Sequence, residues 1–141
     1  MIRTIFFLVV GMFMPSISNA CAEIAWSHEQ KVASLNSQED VVVLRVLTAK
    51  QSTNEMYRRT LRIEAGIEQV LKGNLQTGDI ITANHADDFH DPGCPVLFSE
   101  GYFFLVPLLK VEGDYRYSSD SYIIGEKASD FGELVKVLSK D

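Results

Sequence analysis

Hydrophobic and polar residues alternate most clearly in "LRIEAGIEQVLKG", where Leu61, Ile63, Ala65 and Ile67 are separated by Arg62, Glu64, Gly66 and Glu68. A period of two puts one set on a buried face and the other in water, the mark of a half-buried strand. The pattern predicts a strand from about Tyr57 to Leu71, long for a strand, with Gly66 marking a bulge or sharp bend. Residues 40–50, "DVVVLRVLTAK", show a different pattern, a nearly unbroken apolar run rich in β-branched residues. This predicts a buried strand, ended by the polar turn "QSTNEM". Past the turn "KGNLQTGD", "DIITAN" predicts a shorter strand. "GYFFLVPLLKVEG" predicts a further apolar strand in which Pro107 implies an edge or a break, and "YRYSSDSYIIG" completes the set.

Helical spacing occurs twice. Ser27 and Gln30 stand at capping-box distance ahead of Val32 and Leu35, which share a face, predicting a helix over about 28–36. Asp130 and Glu133 repeat the spacing, and Phe131, Leu134, Val135 and Leu138 form one apolar stripe, predicting a helix over about 129–139. Such a stripe must lie on something. The expected fold is mainly β: a small five-stranded Greek-key barrel of OB type, with a short N-terminal helix and a C-terminal helix. A β-sandwich is the generic alternative, and neither architecture implies a function.

The first residues read as an export signal. Arg3 precedes ten apolar residues, Ile5 to Met14, and then "PSISNA". This is the basic, apolar and small-residue layout of a secretory leader, and the run is shorter than the roughly 20 residues that span a bilayer. Ser18 and Ala20 fit a cleavage site, so residues 1–20 are expected to be a signal peptide and 21–141 a single domain. A buried N-terminal helix is the alternative reading of the apolar run. A lipoprotein signal also ends at a cysteine, but Ser18 stands where that signal carries Leu, Val or Ile. The expectation is therefore an unlipidated periplasmic or secreted protein.

Charge narrows the partners. The chain carries 13 Lys plus Arg against 19 Asp plus Glu; removal of 1–20, with Arg3, leaves 12 against 19, a net charge near −7. Such a balance argues against nucleic acid and anionic membrane surfaces as partners. No second apolar run reaches membrane length. The two cysteines, Cys21 and Cys94, meet an oxidising compartment after export. One intramolecular bridge or two free thiols are the alternatives. A bridge across this long loop stabilises the fold by about 4 kcal/mol in the chain-entropy treatment.

Candidate chemistry is sparse. "HADDFHDPGC" places His85, Asp87, Asp88, His90 and Asp91 within seven residues. His85, Asp87 and His90 are ligand types for zinc or a harder ion, but the spacing matches no motif that fixes ligands, and a solvated acidic loop is the favoured reading. No nucleophile signature such as G-x-S-x-G occurs, so no enzymatic activity and no cofactor are expected. Trp26, Phe103 and Phe104 suit a packed core better than a base-stacking platform.

Taken in order, these features resemble the netrin-like module, in particular the N-terminal domain of tissue inhibitors of metalloproteinases. The resemblance rests on four features: a cysteine placed first after the signal; an alternating strand ending in "VLKG" with "GD" before the next; a single cysteine, Cys94, in the following loop; and the apolar "GYFFLVPL" beyond. It covers most of residues 21–124. In such inhibitors the first cysteine is bonded to a cysteine of this loop, which implies a Cys21–Cys94 bridge. The resemblance also implies that the α-amine and carbonyl oxygen of Cys21 chelate a target protease's zinc, at the position catalytic zinc keeps open. Cys21, Ala22 and Glu23 are then the candidate protease contacts. The chain departs from the family here: Glu23 replaces the second cysteine of the usual Cys-x-Cys start, and Ala22 fills little of a specificity pocket. The expectation is an exported module that binds a protein partner without catalysis; the alternative is a metalloproteinase inhibitor acting through Cys21.

Overall fold

The computed structural model describes residues 26–53, 59–85, 98–117 and 123–140, with side chains for all of these except 51–53, 59–61 and 85. The first element, α1 (His28–Asn36), occupies the predicted range and starts with a complete capping box. The Ser27 side chain accepts from the Gln30 backbone N–H, and the Gln30 side chain accepts from the Ser27 backbone N–H. Two long strands follow, β1 (Asp40–Thr53) and β2 (Arg59–Lys72). Then come β3 (Ile80–His85), β4 (Phe103–Val111), β5 (Asp114–Tyr117), the two-residue β6 (Ile124–Gly125) and α2 (Phe131–Leu138).

The sheet order is β1-β2-β3-β5-β4, and β4 pairs back onto β1, so five strands form a closed barrel. All pairs are antiparallel except β3–β5, making the barrel mixed. The ring is consistent with an OB-like barrel, and β6 is a short addition beside β4 at Phe104 and Leu105. Inside the barrel lie Val42, Leu44 and Val46 of β1, Ile63, Ala65 and Ile67 of β2, and Phe104, Val106 and Leu108 of β4. A second core lies outside the wall, where Leu35 of α1 and Leu134 and Leu138 of α2 cover Val41, Val43, Leu105 and Ile124.

This layering explains the two hydrophobic patterns. β1 and β4 are covered on both faces, by the barrel interior and by the helices, so their sequences are continuously apolar. In β2, Ile63 and Ile67 face inward while Glu64 and Glu68 are exposed, as period two requires. Leu61 also lies in β2, but its side chain is outside the described set.

Several expectations need correction. Gly66 holds normal register, opposite Arg45 and Ile80. The irregularities of the β1–β2 pairing fall instead between Val41 and Val42, Val43 and Leu44, and Val46 and Thr48. Of the edge or break expected at Pro107 only the edge holds: it is buried in mid-strand opposite Val41, and among the described residues no strand pairs with its other side, in the stretch between β6 and β5. A missing N–H is tolerated at such a place. "YRYSSDSYIIG" is not described as one strand: β5 and β6 lie at its two ends, and residues 118–122 are outside the described set. β1 also runs to Thr53, into the expected turn.

Candidate functional site

The residues that sequence reasoning placed at a partner contact, Cys21, Ala22 and Glu23, lie outside the described residues, as does Cys94. So do Asp87, Asp88, His90 and Asp91 of the acidic loop. His85 ends β3, paired in parallel with Tyr117. Among the described residues no group of three His, Cys, Asp or Glu side chains is placed to hold a metal ion.

The described flanks of the Cys94 segment are nevertheless built into the barrel. On one side β3 carries the chain to His85. On the other, Phe98 enters the interior, with its ring edge-on to Phe104 and to Tyr117, at centroid distances of 4.9 Å in both cases. The chain then runs beside β1. Gly101 N–H donates to the Val46 carbonyl at 2.7 Å, Val46 N–H donates to the Tyr102 carbonyl at 3.1 Å, and Ala49 N–H donates to Glu100 Oε1 at 3.0 Å. Residues 98–102 are thus seated by an aromatic plug and a short backbone ladder.

The side chains of Lys31 and Asp130 form an ion pair that joins α1 to the start of α2. At the other end, Asn36 and Leu138 share an open pocket with Val41, Leu71 and Lys72, and Lys72 Nζ donates to the Asn36 carbonyl at 2.6 Å. The two helices therefore run side by side in the same sense. The first turn of α1 points away from the barrel end where β1 begins. Trp26, just ahead of that turn, lines an open groove of about 330 Å³ with Gln30, Ala33 and Ser34.

The aromatic trio does not form one surface. Phe104 faces the barrel interior and Phe103 packs toward the helices, on opposite sides of β4, while Trp26 flanks α1. Among the described residues no helix is long and apolar enough to cross a membrane.

Register also brings together residues that the linear sequence keeps apart. Lys50 lies opposite Arg62, Arg62 opposite Asn84, Asn84 opposite Arg116, and Arg116 opposite Leu109. The neighbouring row pairs Thr48, Glu64 and Thr82. Strand pairing is the only signal for this row, because its members are spread over five strands.

No protein-family model matches the chain, and no characterised protein matches it at a significant level.

Proposed function

We propose that the chain is an exported, netrin-like protein-binding module without catalytic activity of its own. The observation that carries this reading is the arrangement around the Cys94 segment: a five-stranded barrel closed by β1 on β4, with the segment's described flanks seated at His85 and Phe98. Netrin-like modules use a loop at this place in the chain to hold their first cysteine. Four residues separate Cys21 from Trp26, so the five steps between them reach at most about 18 Å when extended. A Cys21–Cys94 bridge would pin the chain end to the barrel and reduce the entropy lost on docking.

The direction of α1 favours a second reading, a metalloproteinase inhibitor. Its first turn leads away from the barrel end where β1 begins. In this reading the α-amine and carbonyl of Cys21 take the open position on a protease's zinc, and Ala22 faces its specificity pocket.

Two measurements test these readings. The intact mass of the exported protein should begin at Cys21, without lipid and two hydrogens short of the reduced chain. Retention of residues 1–20, or a diacylglycerol adduct, would overturn the proposed processing. A panel of zinc metalloproteases then separates the two functions. Inhibition that disappears when one residue is added before Cys21 establishes the inhibitor. No inhibition at micromolar concentration leaves the non-inhibitory module.

A further inference from the structure

The wall of the barrel away from the helices carries the row Lys50–Arg62–Asn84–Arg116–Leu109 across all five strands. Its members point outward, because Ile63, Ala83 and Tyr117, their chain neighbours, are fully buried inside. Adjacent strands lie about 4.8 Å apart, so Lys50 and Arg62 are side by side and Arg116 is two strands further on, across Asn84. Like charges directly opposite each other destabilise a sheet.

Most other described cations are occupied. Lys31 is paired with Asp130, and Lys72 donates to a carbonyl. Arg45, Lys110 and Lys127 each lie over an aromatic ring. Among the described residues, the three cations of the row have neither an ion-pair partner nor a ring. On a chain with a net charge of −6, three such cations in one line form a local inversion of sign.

We propose that this row is a docking strip for an acidic, extended segment of a protein partner, laid across the strands. Its carboxylates meet Lys50, Arg62 and Arg116, and Asn84 donates a hydrogen bond between them. The arginines offer forked donors that suit carboxylates. Two features select a polypeptide over a dense polyanion. Glu64 and Asp114 lie two residues from Arg62 and Arg116 on the same outward face, so the positive strip is one row wide. A sulfated sugar or a nucleic acid strand, charged at every unit, would overlap those carboxylates. The row also ends on Leu109, 39% exposed, which offers an apolar contact that such polyanions do not use. The strip is independent of the Cys21 end and stands whether or not a protease is the target.

Fluorescence anisotropy of the exported, oxidised protein tests the proposal. The probe is a labelled peptide that alternates Glu and Ser and ends in Leu; competitors are its Gln-for-Glu counterpart, a heparin-derived oligosaccharide and oligothymidylate. The Glu peptide should bind, with affinity falling as salt rises. Arg62→Gln together with Arg116→Gln should weaken it by about tenfold or more while leaving the thermal transition in place. Lys136→Gln on α2, a cation away from the row, should leave affinity unchanged and serves as the charge control. No detectable binding, equal binding of the Gln peptide, equal loss from Lys136→Gln, or tighter binding of the oligosaccharide or oligothymidylate would each overturn the proposal.

Discussion

Gly73 follows β2 with a φ of 107°, a backbone region that side chains rarely adopt, and a methyl group there would collide with Asp40 Oδ1. The same carboxylate accepts the Asn74 backbone N–H at 3.1 Å, so the turn and the first residue of β1 are locked together. Gly78 has a similar φ of 94° but open space around it. Gly78→Ala should therefore cost about 1–2 kcal/mol from backbone strain alone. Gly73→Ala should cost about 0.5–1.5 kcal/mol more, as the Asp40 hydrogen bond is displaced. Urea denaturation of the two variants measures the difference, and equal losses would mean that Asp40 does not hold the turn. At this scale the sequence is readable where the chemistry is local. The Ser27–Gln30 capping box forms as its spacing predicts. The identical spacing at Asp130 and Glu133 does not give a side-chain cap, because Asp130 is engaged by Lys31, 99 residues away in the chain. A local pattern carries no information about a partner at that separation.

Among the elements, β1 is the most demanding. Val42 faces the barrel interior and Val43 faces the helices, with exposures of 0% and 7%. Val42→Asp and Val43→Asp should both destabilise severely, since each buries an unpaired carboxylate. On β2 the outward Glu64→Ala should stay within about 0.5 kcal/mol of the parent. A tolerated Val43→Asp would contradict the second core. In α2, Leu134 is fully buried against the barrel wall, and Leu134→Ala should cost about 2–5 kcal/mol in chemical denaturation. The range of α1 was legible from its capping box and that of α2 from its 3.6-residue period, both local signals. The division of "YRYSSDSYIIG" was not, because β5 and β6 pair with different stretches of β4, Leu109–Val111 and Phe104–Leu105. Pairing partners, rather than composition, decide where those strands start and stop.

For the whole molecule, closure depends on β1 meeting β4, strands whose paired residues lie between 58 positions apart, for Arg45 with Phe103, and 68, for Asp40 with Leu108. The proposed Cys21–Cys94 bridge spans a similar distance and would limit the unfolded chain. Reduction, or Cys94→Ser, should lower stability by about 2–5 kcal/mol. Two thiols reacting in the native exported protein would refute the bridge. The barrel could be anticipated from the sequence because alternation and continuous runs reveal how many faces each strand buries. The docking row could not, because it exists only once five strands are in register.

The double coverage of β1 also sets an order of events. Its outer face is sealed by Leu134 and Leu138 of α2, and its second edge is filled by β4. An emerging chain therefore cannot close the barrel before β4, nor seal its outer face before α2, has been synthesised, and pairings this remote form slowly. In the proposed export that delay would be useful: a chain still unfolded would be moved across the membrane, and the barrel would close on the far side, where oxidation of its thiols would follow.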